Sequence, residues 1–205
     1  MEEQRPKRSF FVPVLLLLLL FSLTGNMLLA SKQVAQKQED RAQRGLTIIN
    51  AGNQAKLHID DVLANVTELL GSGDIAHRLA AKGALGAAFK RADDVQRFIS
   101  EAEKSNGKPF TFTKRSAGTF LGQIEQSLQQ VANHDGPLTG EEQAYLQTVK
   151  QVYEQLKSVI APFDYKTMSK DVGLTVQAGG AWVEMGRKML DAMNGPDRVV
   201  YGGTR

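Results

Sequence analysis

The sequence predicts an all-α fold: an antiparallel helical bundle of about five helices behind an N-terminal transmembrane helix. Three observations predict it. Beyond residue 31, apolar residues recur at spacings of three and four, the period of one helix face. No stretch alternates apolar and polar residues as a half-buried strand would. Residues 9–30 form an apolar run broken only by Ser9, Ser22, Thr24, Gly25 and Asn26. The 205 residues therefore divide into a short cytoplasmic tail (1–8), a membrane anchor (9–30), a helical domain (31–195) and a flexible tail (196–205).

In the first segment, about 22 residues at 1.5 Å each span roughly 33 Å, enough for a bilayer core. Phe10, Phe11, Val14, Leu15, Leu18, Phe21 and Leu28 are its membrane-facing candidates. The Leu-rich stretch from Val14 to Phe21, preceded by Arg5, Lys7 and Arg8, has the form of a signal-peptide core with its basic flank. A cut after Ala30, however, places Leu28 where a small residue is needed, and "TGN" offers no small-x-small site. An uncleaved anchor is the expectation; the alternative is a released protein beginning at Ser31. Lys32, Lys37, Arg41 and Arg44 nearly balance the basic residues before the span. The very short leading tail sets the orientation: N-terminus in the cytoplasm, main domain outside it, in a bacterial envelope.

The first helix of the domain is expected over about 31–70. Its face is Ile49, Gly52, Lys56, Ile59, Leu63, Val66 and Leu70, widened by Val62 and Leu69, with an interruption near Gly45 or Gly52. "GSGD" (71–74) stops it, and Ser72 or Asp74 can cap the next helix. That second helix, about 74–105, carries Ile75, Leu79, Ala88, Phe89, Ala92, Val95, Phe98, Ile99 and Ala102, and "NGKPFTFT" ends it at Pro109. The third, about 114–133, has the stripe Ala117, Phe120, Leu121, Ile124, Leu128 and Val131. "NHDGP" is a turn, and Thr139-Gly-Glu-Glu142 is a capping box. The fourth helix buries Leu146, Val149, Val152, Tyr153, Leu156, Val159 and Ile160 and stops at Pro162. The fifth, about 166–194, has the seam Val172, Val176, Gly179, Val183, Gly186 and Leu190, whose glycines (Gly180 included) read as close helix packing. Val199–Tyr201 reads as a short extended piece in an otherwise frayed tail.

Composition narrows the chemistry. The absence of cysteine excludes disulfides, thiol catalysis, Cys-ligated zinc and a lipidated-cysteine anchor. After residue 8 there are 22 basic and 20 acidic residues, too even a mixture for a nucleic-acid binder. His58, His77 and His134 sit in different elements and read as surface or boundary residues, so no metal site is expected. Asp60-Asp61 and Asp93-Asp94 are neighbours on a helix, pointing about 100° apart, and cannot form a facing acid–base pair. "KGALGAA" lacks the strand and the G-K-[ST] ending of a phosphate loop. "NVT" (65–67) is a formal glycosylation sequon but lies mid-helix. No catalytic residue, metal or cofactor is expected.

Charge is distributed unevenly. Residues 78–115 hold nine basic and four acidic side chains, whereas 116–149 hold no Lys or Arg but Glu125, Asp135, Glu141 and Glu142. The two stretches either lie against each other or leave one surface for a partner or a charged polymer such as cell-wall glycan. Glutamines crowd the same region: Gln123, Gln126, Gln129, Gln130, Gln143, Gln147, Gln151 and Gln155. Glutamine keeps helix propensity and offers neutral donors and acceptors. The candidate partner-binding face is Glu125, Gln126, Gln129, Gln130, Glu141, Glu142, Gln143 and Gln147.

The stretch "FLGQIEQSLQQVANHDGPLTGEEQAYLQTVKQVYEQL" (120–156), behind a membrane segment and a polar helical region, resembles the N-terminal region of the YpeB family of spore germination proteins. The shared features are a Phe-Leu-led helix, then Pro137-Leu138-Thr139, then Glu141-Glu142 and a helix rich in Tyr, Leu, Gln and Lys. The resemblance implies a non-enzymatic protein at the spore inner membrane whose partner is a cortex-lytic transglycosylase, and it carries over no catalytic residue. Larger members of that family continue into PepSY domains, which these 205 residues do not contain. The expected function is thus a membrane-anchored extracytoplasmic protein that binds or stabilises an envelope partner. The alternative is a ligand-sensing helical module.

Overall fold

The computed structural model describes residues 11–71 and 73–202. Among them are seven helices and no strand: α1 (Phe11–Gly71), α2 (Ile75–Phe89), α3 (Ala92–Asn106), α4 (Ala117–Gln130), α5 (Gly140–Ile160), α6 (Lys170–Gln177) and α7 (Ala181–Met193). Two compact units divide between Arg41 and Ala42. In the first, every side chain from Phe11 to Arg41 is exposed. Residues 1–10, Ser72 and 203–205 lie outside the described residues; with them go the predicted cytoplasmic tail, Phe10 and one of the two predicted caps.

The second unit is built around α1 from Ala42 onward. Here Ile49, Gly52, Ile59, Val62, Val66 and Leu69 are buried as expected, joined by Ala42, Gly45, Ile48, Ala51, Ala55 and His58. The predicted interruption does not occur, because the glycines are contact points and not breaks. A methyl group on Gly45 would lie 2.5 Å from the Gly173 carbonyl carbon, and one on Gly52 would lie 2.6 Å from Phe163 Cζ. Lys56 leaves the apolar stripe and donates to the carbonyls of Ala161 and Phe163 (3.4 and 2.9 Å) beyond the end of α5. There a cation meets the negative end of the helix dipole.

The expected second helix is two helices. The chain turns at Lys90-Arg91 without a glycine or proline, and Asp93 and Asp94 occupy the first turn of α3. Carboxylates are favoured at that position by the helix dipole, so this acidic pair marks a helix start. Arg91 at the turn reaches back to Asp61 on α1 at 2.7 Å. Ile75 and Leu79, expected in the core, are 52% and 71% exposed. α3 ends at Gly107 (φ 77°), before Pro109 is reached. Gly107→Ala should destabilise by about 1 kcal/mol through its left-handed backbone, measurable by chemical denaturation.

The expected fifth helix also divides. Gly179 (φ 103°) and Gly180 (φ 131°) separate α6 from α7, which overturns their reading as packing residues. Gly186 keeps that role, since a methyl there would sit 2.5 Å from Ala102 Cβ on α3. Trp182, just past the break, is buried and donates its Nε1 hydrogen to Val176 O at 3.0 Å. Phe98 meets Trp182 and Phe163 at ring-centroid distances of 5.7 and 5.0 Å, and Phe163 meets Tyr165 at 4.9 Å. This aromatic group joins α3, α7 and the segment after α5 over Gly52.

His58 is fully buried, contrary to its reading as a surface or boundary residue. Its Nδ1 lies 3.0 Å from Ala88 O, which can only accept, and Nε2 lies 3.2 Å from the Tyr153 hydroxyl. A neutral ring with the proton on Nδ1 satisfies both. Burial, helped by Arg91, pushes its pKa below the ordinary value. His77 is exposed. Asp60 pairs with Lys157 at 2.8 Å, so both members of the 60–61 pair hold surface ion pairs. Asn65 and Thr67 of the sequon bond back to Asp61 O and Leu63 O in their own helix.

Candidate partner-binding face

The face predicted from the sequence lies on α4, α5 and their connection. Ser116 caps α4, its hydroxyl accepting from Thr119 N at 3.2 Å. The expected stripe Ala117, Phe120, Leu121, Ile124, Leu128 and Val131 is buried throughout. Gln126, Gln129 and Gln130 are thereby turned outward and exposed, with Glu125 half-buried. On α5, Leu146, Val149, Val152, Tyr153, Leu156 and Ile160 are buried and Val159 half-buried. Glu141, Gln143 and Gln147 are exposed, and Gln143 Nε2 donates to Leu138 O at 3.2 Å.

Glu142 is the exception and is corrected: it is 2% exposed. The capping box forms as expected, with Thr139 Oγ1 accepting from Glu142 N at 3.2 Å and Glu142 Oε2 accepting from Thr139 N at 2.8 Å. The carboxylate does more than cap. Oε1 accepts from Ala132 N at 2.7 Å, and Oε2 faces His134 Nε2 at 2.8 Å. Ala132 stands at φ 59°, a conformation that aims its N–H at the carboxylate. Burial opposes the charge, but hydrogen bonds from His134, Thr139 and Ala132 outweigh it and hold the carboxyl down at about 2.

Helix α2 closes the same connection from the other side. Lys82 donates to Gln129 O and Val131 O (3.0 and 2.9 Å) and to Asn133 Oδ1, capping the C-terminal end of α4. Arg78, 2% exposed, donates to His134 O at 3.4 Å and to Gly136 O. The basic stretch therefore meets the acidic hairpin mainly through backbone carbonyls. Three of its other cations pair elsewhere: Arg91 with Asp61, Arg97 with Asp94, and Lys104 with Glu101.

His134 is the titratable hinge of this connection. Nδ1 faces Asp135 O at 2.9 Å and Nε2 faces Glu142, and these acceptors raise its pKa above 6.5. A raised histidine contributes stability in full below 6.5, and the contribution is lost as pH rises through the folded value. The lowered Glu142 contributes above 4.5 and fails as pH falls toward about 2. His134→Gln should therefore remove one component of the stability lost as pH rises above 6.5, and should also weaken the acid limb, because only Thr139 and Ala132 would be sure to go on holding the Glu142 carboxyl down. Thermal unfolding across that range checks it.

The C-terminal segment was expected to be flexible, yet as far as Gly202 it is docked onto this hairpin. Arg115 donates to Pro196 O and Asp197 O (3.1 and 3.0 Å), and Lys114 pairs with Asp197 at 2.6 Å. Tyr145 on α5 donates its hydroxyl to Val199 O at 3.2 Å, and Tyr201 N donates to Ser127 Oγ on α4 at 3.0 Å. The Tyr145 and Tyr201 rings stand 5.6 Å apart. Burial pushes the Tyr145 hydroxyl up to about 12, so it stays protonated and able to donate. Sequence reasoning missed this contact; the one available signal was the extended character of Val199–Tyr201.

The predicted anchor residues Phe11, Val14, Leu15, Leu18, Phe21 and Leu28 are between 52% and 71% exposed on α1. The helix is long and apolar enough there to cross a membrane. Compared with protein-family models, curated proteins and solved structures, the chain matches none.

Proposed function

We propose that this is a non-catalytic, membrane-anchored extracytoplasmic protein whose antiparallel helical bundle binds or stabilises an envelope partner. The observation that carries the reading is a contrast in exposure. The Leu- and Phe-rich turns of α1 have no protein cover, whereas residues from Ala42 onward close over a continuous apolar core. An all-round apolar helix surface needs a non-aqueous neighbour, and a bilayer supplies one. The exposed amides and carboxylates of α4 and α5 then face the envelope and suit a protein contact. The YpeB-like version, supporting a cortex-lytic enzyme during germination, rests on the 120–156 stretch.

Two measurements test this. The protein should stay with membranes in alkaline carbonate and retain its first 30 residues by mass spectrometry; a mature chain beginning at Ser31 would overturn the anchor. Photo-crosslinkers at Gln126 and Gln147 should capture one discrete envelope protein from native membranes. Capture from α2 positions such as Leu79 instead would move the face.

One feature favours the ligand-sensing alternative: an open cleft of about 510 Å³ lined by Ile75, Leu79, Arg78, Lys82, Asn133 and His134. Its cations, however, already hold backbone carbonyls. Few donors are left for a ligand, and the docking reading is preferred.

A further inference from the structure

Helix α2 is apolar nearly all round, yet it lies at the surface. Leu85, Ala88 and Phe89 face the core. Its two cations also point inward: Arg78 is buried and Lys82 half-buried, both held by carbonyls around the α4–α5 connection. The outward face carries no charge, with Ile75, Ala76, Leu79, Gly83, Gly86 and Ala87 all exposed. His77 is the one exposed polar side chain between Ile75 and Phe89. At 100° per residue it falls at the edge of that face, where it bonds to Asp74 at 2.9 Å. A surface helix ordinarily turns charges to water, and a contiguous exposed apolar face marks an interaction site. The glycines strengthen the point. Glycine is a poor helix residue, and nothing of the chain lies within 4 Å of a methyl group at 83 or 86. A contact within the chain therefore explains neither.

We propose that this face of α2 is a self-association site, covered by α2 of a second copy of the chain running antiparallel to it. The face is graded along its length. Its large side chains, Ile75 and Leu79, stand in the N-terminal half, and Gly83, Ala84, Gly86 and Ala87 in the C-terminal half. An antiparallel pair sets large on small, Leu79 over Gly83 and Ile75 over Gly86, and lets the two backbones approach closely. A parallel pair would set large on large and leave a gap between the glycines. Charge selects the same arrangement. Lys90, exposed, follows the C-terminal end of the face, on the flank that borders the α4–α5 connection by helical phase. Asp135, exposed, stands on that same flank beside Ile75 and Leu79, near the N-terminal end. A two-fold axis running across the face reverses helix direction but keeps like flanks together. Lys90 of each copy therefore meets Asp135 of the other. A bilayer surface suits the face less, because helices lying on lipid flank their apolar side with outward Lys and Arg, and those of α2 point inward. Fifteen residues make about 22 Å of helix, less contact than a standard interface, so the pair is transient and is read by covalent trapping.

The chain has no cysteine, so introduced ones report alone. Antiparallel packing brings Ala76 of one copy to Ala87 of the other. Full-length Ala76→Cys and Ala87→Cys proteins, mixed in detergent and oxidised, should give a mixed disulfide in clear excess over either self-linked product. Leu79→Lys, at a position 71% exposed, should all but abolish that product and leave the helical circular dichroism unchanged. Lys90→Glu should reduce the yield about threefold, and Asp135→Lys added to the same chain should restore it. Gly83→Ala should raise the melting temperature of the chain yet lower the yield, opposite signs that a glycine with a purely internal role does not give. Excess self-linkage at Ala76, no excess of the mixed product, or a yield that survives Leu79→Lys overturns the proposal. So does a charge swap that fails to restore the product. Capture of an envelope protein from Gln126 and Gln147 is read separately, and either result stands when the other fails.

Discussion

Gly45→Ala is expected to destabilise the domain by roughly 3 kcal/mol, at the upper end for a single added methyl group. The new carbon would overlap the Gly173 carbonyl oxygen and lie 2.5 and 2.8 Å from its C and Cα. All three are backbone atoms, so no side chain can swing aside; α6 would have to move off α1. The reciprocal Gly173→Ala meets Ala42 O at 2.5 Å and should behave alike. Because one displacement relieves both, the double variant should lose much less than the sum of the two. Gly83→Ala and Gly86→Ala are the controls. Nothing lies within 4 Å of a methyl group at either position, so helix propensity alone should act and stabilise by up to about 1 kcal/mol each. Urea titrations followed by the single tryptophan, Trp182, separate the two classes by sign. A neutral Gly45→Ala would mean that α1 and α6 do not cross as described.

Glu142→Ala is the second large effect, again roughly 3 kcal/mol. It strands the buried N–H of Ala132, at about 1–3 kcal/mol, and dissolves the capping box, at about 1 kcal/mol, whereas the His134 ring is exposed and can turn to water. Glu142→Gln should recover part of the loss, since its amide oxygen still accepts while its NH2 faces donors. Glu141→Ala, one residue away and exposed, should stay within about 0.5 kcal/mol of the parent. Equal effects at 141 and 142 would show that the carboxylate is not the hub of the connection.

These two residues also show what could and could not be read from the sequence. The capping box at Thr139 and Glu142 is local chemistry, fixed by four consecutive residues, and it forms as read. That the same carboxylate reaches Ala132 depends on a left-handed backbone at an alanine, which no residue type announces. The stripes of α4 and α5 were readable because each helix buries a single face. The break between α2 and α3 was missed because Lys90 and Arg91 are good helix residues, and only Asp93-Asp94 hinted at a new start. Gly179-Gly180 reads as packing and is a break, since a glycine in a helical seam and a glycine between two helices look alike until its neighbours are known. Gly45 and Gly52 are the opposite case, reading as a break and serving as contact points. On the candidate face, exposure followed from helical phase for six of the eight residues, Glu125 being half-buried and Glu142 buried, whereas the docked tail depends on contacts across 54 to 83 residues of sequence.

The partners of α1 carry a kinetic consequence. His58 waits for Tyr153, 95 residues onward, and Lys56 for Phe163, 107 residues onward. Gly45 waits for Gly173. Contacts so distant close large loops, and that entropy must be lost before the contact repays it. Helix α1, which precedes α2–α7 along the chain, is thus among the last of them to be enclosed. During that interval Ile48, Ile49, Ile59, Val62 and Val66 present an unsheltered apolar seam, directly following in sequence a segment long and apolar enough to cross a membrane. Pulse-labelling exchange should find the α1 amides from Ala42 onward protected no earlier than those of α5, and a folding-assistance factor would find its substrate in that seam.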